Sequence, residues 1–253
     1  MAKKIRIGLL LFVLFLVAVN AWQVKVASTD WDQSLWMVVY PVNGDGSAVS
    51  AAYMNDLQKD DFAPVAKFMA YEAEQRGVTL VDPVIVDIAP EVANLPPKPP
   101  MGGNLLSIVW WSLKLRLWSF NNDTYKGPSP DARIFVLYYD PATHKELEQS
   151  VGIKEGMIGV VNGFAHRRMG AKNNVIIVHE LLHTLGATDK YDLATGLPLF
   201  PDGYAEPGLT PRYPQQLAEI MGGVVPLSET KTVMPTSVWQ TTVGDKTAAE
   251  IGW

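Results

Sequence analysis

The sequence predicts an α+β or α/β fold that forms one domain over residues 23–253. A chain of 253 residues, 48% of them hydrophobic, can bury a substantial core. Near its start a strand-like apolar run, two helical segments and a second apolar run follow one another, an order typical of parallel strands joined by helices. A long apolar segment at 175–185 adds a buried helix to the second half.

The first half of the domain is predicted to contain two strands and two helices. Asp61 opens the second helix, and Gly77, which tolerates left-handed backbone, closes it. Proline and turn-forming residues end the first strand. In chain order the elements are a strand at 34–40, helices at 50–57 and 61–76, and a strand at 84–88.

The segment 105–120 follows a loop at 90–103 that contains five prolines and two glycines. Alternation at 113–117 fits a strand, but the length and apolar spacing of the whole segment favour a helix. Its three tryptophans fit a membrane-surface or substrate patch, although such a stripe is more often core. We therefore predict a helix, with Leu106, Val109, Trp110, Leu113 and Leu117 at helical spacing, and expect its tryptophans, Trp110, Trp111 and Trp118, to belong to the core.

The second half has two predicted strands, at 132–139 and 156–161, and then the long apolar helix. Beyond that helix the regular pattern is lost. A loop at 197–214, with five prolines and two glycines, is long enough to form a cleft wall. Short helices are expected at 214–221 and 237–240.

Charge and cysteine content exclude several classes of function. A net charge of −5 without a long basic run gives no nucleic-acid footprint. The chain has no cysteine, which excludes disulfides, thiolate zinc sites and cysteine nucleophiles. Any metal must be held by His, Asp or Glu side chains.

Residues 1–22 are predicted to be a signal peptide or an N-terminal membrane anchor. Lys3, Lys4 and Arg6 precede an apolar run at 7–19, and this charge distribution favours a body outside the cytoplasm. The sequence thus predicts a protein of the bacterial cell envelope. It would be anchored in the membrane and face the periplasm or exterior, or be secreted if the segment is cleaved.

The motif H-E-x-x-H, formed by His179, Glu180 and His183, lies within the long apolar helix. One helical turn separates the two histidines, so both imidazoles project from one face and can hold one ion. Glu180 beside them can take a proton from a metal-bound water. The alternative is a buried helix whose histidines only form hydrogen bonds to their neighbours.

The ends of this helix support a metal site. Asn173 or Asn174 is expected to cap its start, and Gly186 to end it in left-handed conformation. The chain then doubles back, so that Asp189, three residues later, becomes a candidate third ligand. Glu219 is the alternative third ligand, because some H-E-x-x-H enzymes use a glutamate from a later segment.

His179 to Asp189, HELLHTLGATD, resembles the signature of metzincin zinc peptidases in its snapalysin-like form. LAEIMGG at 217–223 resembles the methionine turn of the same clan, with Met221 placed 38 residues after His183. The resemblance implies a zincin-like domain with a mixed sheet, and zinc (Zn2+) on His179, His183 and Asp189. It also implies that Met221 lies beneath the metal and that the strand 156–161 borders the cleft and pairs with substrate.

The resulting hypothesis is a zinc-dependent endopeptidase in which Glu180 is the general base and a peptide or protein is the substrate. Departures from the family are the aspartate at 189, where histidine is commoner, and glycines after Met221, where some members carry tyrosine. Two alternatives remain. One is a non-enzymatic metal-binding envelope protein with a fourth ligand from Glu219 or His166, and the other is a zinc hydrolase acting on a non-peptide amide.

Overall fold

A five-stranded mixed sheet forms the centre of the fold. The computed structural model describes residue 6 and residues 30–100, 102 and 104–253. The sheet consists of β1 (Leu35–Asn43), β2 (Val84–Ile88), β3 (Ala132–Tyr139), β4 (Val151–Ile153) and β5 (Ile158–Phe164). Their spatial order is β2-β1-β3-β5-β4. The first four strands in this order are parallel, and β4 at the edge pairs antiparallel with β5.

Helices pack on both faces of this sheet. They are α1 (Ala48–Asn55), α2 (Ala63–Gln75), α3 (Leu105–Asn121), α4 (Gly170–Leu185) and the C-terminal α5 (Asp245–Ile251). Short 3₁₀ turns lie at Lys59–Phe62, Arg167–Met169 and Val238–Gln240. After α4 the chain forms four two-residue strands, β6 (Ala218–Glu219), β7 (Val225–Pro226), β8 (Thr232–Val233) and β9 (Thr241–Thr242). The fold is therefore α+β.

The central strands are apolar at almost every position because both faces of the sheet are covered. Successive side chains of a strand point to opposite faces. Met37 and Ile134 accordingly belong to the core beneath α1, α2 and α4. Val38 and Phe135, their neighbours in sequence, belong to a second core beneath α3. The helix that carries the motif and the helix α3 thus lie on opposite faces of the sheet.

The predicted helix at 105–120 is confirmed as α3, but the expectation that its tryptophans belong to the core is wrong for Trp110. Trp111 and Leu115 face the sheet and are buried. Leu106, Trp110 and Leu117 are instead 78%, 61% and 63% exposed. The helix is apolar on all sides, so its apolar spacing could not indicate which side meets the sheet.

Predicted strands at 34–40, 84–88 and 132–139 are confirmed by β1, β2 and β3. The strand expected at 156–161 is β5, which pairs with β3 on one side and with β4 on the other. The expectation that it offers a free edge to substrate is therefore wrong, because β4 occupies the edge. The helix expected at 214–221 is also wrong, since that segment contains β6 and a turn.

The prediction of a membrane-anchored envelope protein is corrected by the described helices. Among these, no helix is both long enough and apolar enough to cross a membrane. The longest, α3, has 17 residues and carries Lys114 and Arg116, whereas a span needs about 20 mainly apolar residues. The predicted targeting segment, residues 1–22, lies outside the described residues apart from Arg6.

Candidate metal centre

The helix α4 holds the motif against the sheet through its apolar side. Ile177, Val178 and Leu181 are fully buried in the core shared with β1 and β3. His179 and His183 lie on the other side of α4, with ring centroids 4.7 Å apart. Burial on one side of the helix therefore fixes the direction of both imidazoles.

The predicted N-cap at Asn173 or Asn174 is wrong, because α4 begins at Gly170. Both asparagines are buried inside the first turns of the helix. Asn173 accepts a hydrogen bond from Phe164 N at 3.2 Å and donates to Phe164 O at 3.0 Å. Asn174 donates to Asp61 O at 2.9 Å. They tie the helix to β5 and to the turn before α2 instead of capping it.

The predicted end of α4 at Gly186 is confirmed. Gly186 has φ 109°, in the left-handed region that glycine adopts without strain. Its N–H donates to Leu182 O at 3.1 Å and to His183 O at 3.0 Å, as expected for a left-handed helix cap. The chain then reverses, and this reversal brings Asp189 back beside the helix.

Three of the predicted residues form one cluster. Potential ligand atoms of His179, His183 and Asp189 all lie within 4.8 Å of one another. Asp189 Oδ1 is 3.2 Å from His179 Nε2 and 3.1 Å from His183 Nε2. Tetrahedral zinc with bonds of about 2.0–2.1 Å separates its ligand atoms by roughly 3.3 Å. The two distances from Asp189 are therefore close to the separation of neighbouring ligands around zinc.

The outer nitrogen of each imidazole is fixed by a carbonyl group. His179 Nδ1 lies 2.9 Å from Ile220 O, and His183 Nδ1 lies 2.8 Å from Ala187 O. A carbonyl oxygen only accepts, so each Nδ1 carries a proton and donates. In the neutral rings the Nε2 lone pairs then face Asp189. Two lone pairs and a carboxylate oxygen directed at one point favour a cation between them.

The charges of the cluster shift the pKa values of its members. Burial favours the neutral form of Asp189, but the hydrogen bonds that His179 and His183 donate when their Nε2 atoms also carry a proton outweigh burial and lower the pKa of the carboxyl well below its usual range. Burial favours the neutral form of His179 too and so lowers its pKa. The hydrogen bond to Asp189 and the charge of Glu180 outweigh burial and raise the pKa of His179 above its ordinary value. The site therefore favours an ionised carboxylate and positive charge beside it.

Glu180 is buried next to this cluster, and one of its carboxyl oxygens has no hydrogen-bond partner. Only 4% of the residue is exposed, and its Oε2 has no hydrogen-bond partner. Burial raises the pKa of the carboxyl above its ordinary value, and the charges of His179 and His183 offset this only in part. A buried carboxyl without a partner costs stability, so its retention points to a chemical role.

The edge strand β4 approaches α4 closely because it has a glycine at the contact. A Cβ atom added to Gly152 would lie 2.5 Å from Glu180 O and 2.6 Å from His183 Cβ. Cβ atoms in proteins essentially never come within 3.0 Å of such atoms. Gly152 thus permits β4 to run directly beside the motif.

We expect Gly152→Ala to lower the free energy of unfolding by about 1–3 kcal/mol, because the added methyl group overpacks this contact. Urea denaturation followed by circular dichroism measures the change. Gly208→Ala is the matched control, since nothing lies within 4 Å of its Cβ position. Equal stability of the two variants would contradict the close contact between β4 and α4.

The segment at 219–222 supports His179 from below. Ile220 provides the carbonyl that orients the imidazole, and Met221 is fully buried in the core beneath α4. Glu219, the alternative third ligand, is not part of the cluster. Its carboxylate accepts hydrogen bonds from Gly222 N at 2.7 Å, Gly244 N at 3.0 Å and Thr247 Oγ1 at 2.7 Å. Glu219 therefore holds the turn that carries Met221.

His166, the other alternative ligand, lies outside the cluster as well. It is exposed, and its Nδ1 accepts a hydrogen bond from Arg168 N at 3.2 Å. The imidazole thus caps the 3₁₀ turn that precedes α4. Within the part of the chain that the structure describes, no fourth His, Asp or Glu joins the three-residue group.

Tyr191 is a residue of the site that the sequence reasoning missed. Its ring lies 6.5 Å from the ring of His179, and its hydroxyl accepts a hydrogen bond from Gln149 Nε2 at 3.4 Å. Burial, followed by the charge of Asp189, raises the pKa of the hydroxyl to about 12. Its position two residues after Asp189 was the available signal, because a short turn keeps both residues near the ion.

A buried ion pair fixes the turn that carries Asp189 and Tyr191. Lys190 Nζ lies 2.7 Å from Glu250 Oε2 in α5 and donates to Thr188 O at 2.6 Å. Glu250 also accepts from Thr188 N at 2.9 Å. The C-terminal helix therefore restrains the residues on both sides of Asp189.

The cluster opens into a cleft of about 600 Å³. His179, Glu180 and Tyr191 form part of its wall. Apolar side chains make up much of the remainder, among them Phe164, Val175, Ile176, Ile220, Val224 and Met234. A neighbouring cavity of about 370 Å³ shares the 146–149 segment but contains none of the cluster residues. The cluster therefore faces a space large enough for several side chains of a substrate.

No protein-family model matches the chain, and a search of curated proteins finds no match either. The arrangement offers two neutral nitrogen ligands, one carboxylate ligand, a buried carboxyl and a tyrosine hydroxyl at the wall of an apolar cleft. This combination can hold a divalent ion and move a proton at the same place.

Proposed function

We propose that the chain is a zinc-dependent peptidase of metzincin-like architecture. The observation that carries the proposal is the position of Asp189 Oδ1, 3.2 Å from His179 Nε2 and 3.1 Å from His183 Nε2, beside Glu180, whose Oε2 has no hydrogen-bond partner. Three protein ligands of this type are characteristic of catalytic zinc sites, whereas structural sites close the coordination with a fourth. The ligand set thus supports catalysis over a structural role.

His179, His183 and Asp189 would hold the ion, which when bound lowers the pKa of a coordinated water towards about 7 and polarises the scissile carbonyl. Glu180 accepts the proton of the attacking water and returns it to the leaving amine. Its raised pKa favours this exchange, because a general base works best near the operating pH. Ile220 and Ala187 keep the imidazoles in the required tautomer.

A peptide is the substrate class that the surroundings favour. The edge strand β4 runs beside Glu180 and His183, and an edge strand can pair with an extended chain through backbone groups. The apolar cleft next to the cluster can accept hydrophobic side chains of such a chain.

Digestion of a denatured protein mixture by the full chain tests this function. We expect cleavage products in mass spectra that vanish with 1,10-phenanthroline and return with added zinc. A product pattern enriched in large apolar residues beside the cleaved bond would agree with the cleft. If zinc-dependent hydrolysis occurs only on non-peptide amides, the peptidase assignment is wrong although the metal chemistry stands.

We propose that the hydroxyl of Tyr191, at the wall of the cleft, donates to the carbonyl oxygen on which negative charge develops. It stays protonated at neutral pH because its pKa is about 12. We expect Tyr191→Phe to lower kcat roughly 10²-fold, the lower end for loss of one such donor, with little change in KM. Steady-state kinetics measure both, and zinc content should stay at the wild-type level. Unchanged kcat would exclude this role.

A further inference from the structure

An apolar stripe of α3 lies on the surface of the protein. Its five side chains are spaced four, three, four and three residues apart, and between 48% and 81% of each residue is exposed. We call them the α3 outer stripe: Leu106, Trp110, Leu113, Leu117 and Phe120. The opposite side of the helix is attached to the sheet through the buried residues Trp111, Leu115 and Ser119.

The sheet covers one side of α3, and the other side, although apolar, is exposed. A helix that is hydrophobic on all sides is normally buried on all sides. Within residues 30–100, 102 and 104–253, nothing packs over the α3 outer stripe, as its exposure shows. Together with the flanking Leu105 and Val109, the stripe presents on the order of 800 Å² of surface, given about 150–250 Å² for a large side chain.

The exposed area fits one side of a protein–protein interface. The largest apolar patch of a typical monomer covers about 300–600 Å². A standard interface buries about 800 Å² on each partner. Together with Leu105 and Val109, the α3 outer stripe therefore exceeds the largest apolar patch of a typical monomer and matches one side of a standard interface.

The spacing of the stripe indicates that its partner is another helix. Apolar residues at alternating intervals of four and three form the seam by which one helix packs along a second helix. A helix that lies on lipid carries a polar face rich in Lys and Arg opposite its apolar face. The opposite face of α3 is instead occupied by the sheet, and the helix has only two charged residues, Lys114 and Arg116.

A second copy of the chain offers an identical apolar seam on its own α3. We propose that the chain forms a homodimer in which the α3 outer stripes of two copies pack against each other. This face of α3 has few charged residues, so it offers no charge pattern that would favour a charged partner over a second copy. Since α3 and α4 lie on opposite faces of the sheet, the dimer leaves the cleft of the candidate site open. The proposal is independent of the proposed function.

A cysteine at Leu113, the middle of the stripe, tests the pairing in the full chain, because the sequence has no other cysteine. In a symmetric pairing the two copies of residue 113 lie close to the two-fold axis. We expect Leu113→Cys to form a disulfide-linked dimer on mild oxidation. Glu74→Cys, at an exposed position of α2 on the other face of the sheet, is the control and should stay monomeric on denaturing gels.

A charge in the stripe provides the second test. Sedimentation velocity should show a wild-type dimer, and Leu113→Glu should weaken its association roughly 100-fold or more, because two like charges would meet. At a protein concentration low enough for the wild type to be monomeric, the two melting temperatures should be equal, since Leu113 is already half-exposed. Val81→Glu, which places the same charge at a residue 85% exposed elsewhere, should leave the dimer intact.

Four results would overturn the proposal. A wild-type dimer that survives Leu113→Glu uses another surface. If the wild type is monomeric and the thiol of Leu113→Cys reacts quickly with maleimide, the α3 outer stripe is uncovered in solution. A monomer whose thiol is protected from maleimide has the stripe covered by its own chain. A monomer that binds phosphatidylcholine vesicles, and loses this binding with Leu113→Glu, uses the stripe for lipid.

Discussion

Replacing Glu180 with glutamine is expected to lower peptide turnover by about two to four orders of magnitude, which is the typical contribution of a positioned general base. Glutamine keeps the shape of the side chain but cannot accept and return the proton. Zinc content should be unchanged, because Glu180 is not a member of the three-residue cluster. The variant should be at least as stable as the wild type, since a buried carboxyl with an unpartnered oxygen is removed.

Glu72→Gln is the matched control for this experiment. Glu72 is equally buried, at 4% exposure, but it accepts hydrogen bonds from Val243 N at 3.0 Å and Thr242 Oγ1 at 3.1 Å, away from the cluster. Its substitution should preserve turnover per folded molecule. Full activity of Glu180→Gln would exclude the proton-transfer role, and loss of zinc in that variant would place Glu180 among the ligands.

Asp189→Ala is expected to lose zinc on dialysis. All metal-dependent hydrolysis should be lost with the ion. Only the two histidines would remain to hold the ion. Loss of a direct ligand should cost more than the roughly 10–100-fold in affinity that loss of an outer hydrogen-bonding partner costs. Zinc per chain, measured by mass spectrometry after dialysis, gives the result. Asp189→His should retain the ion, because imidazole binds zinc at a similar distance of about 2.0–2.1 Å.

Glu219→Gln distinguishes the two candidate third ligands. In either orientation the NH2 group of glutamine would face one of the two backbone donors, Gly222 N or Gly244 N, so the variant should be less stable than the wild type. Its folded fraction should nevertheless bind one zinc. If Glu219→Gln loses zinc while Asp189→Ala retains it, the ligand set proposed here is incorrect.

Elements with one clear apolar pattern were predictable from the sequence. The strands β1 and β3 are buried on both faces and therefore read as short apolar runs between turns, and the edge strand β2 is a similar short apolar run. The burial of α3 was not predictable, because every side of this helix is apolar and only the sheet decides which side it covers. The edge strand β4 was also missed. It has three residues, too few for a recognisable period.

In the candidate site too, the residues placed by local spacing were predictable, and the contacts from distant segments were not. His179, Glu180 and His183 follow from helical spacing, and the approach of Asp189 follows from the turn that Gly186 permits. Contacts made by other segments carry no local signal. The restraint of the turn by Glu250, from a helix about 60 residues later, depends on the complete fold.

Reconstitution of the metal-free full chain with zinc tests the central claim most directly. Zinc bound and peptide bonds hydrolysed are measured in the same samples at increasing ratios of zinc to chain. We expect activity to rise in proportion to bound zinc and to reach its maximum at one ion per chain. Stoichiometric zinc binding without hydrolysis of any peptide, or hydrolysis that persists in the metal-free chain, would contradict it.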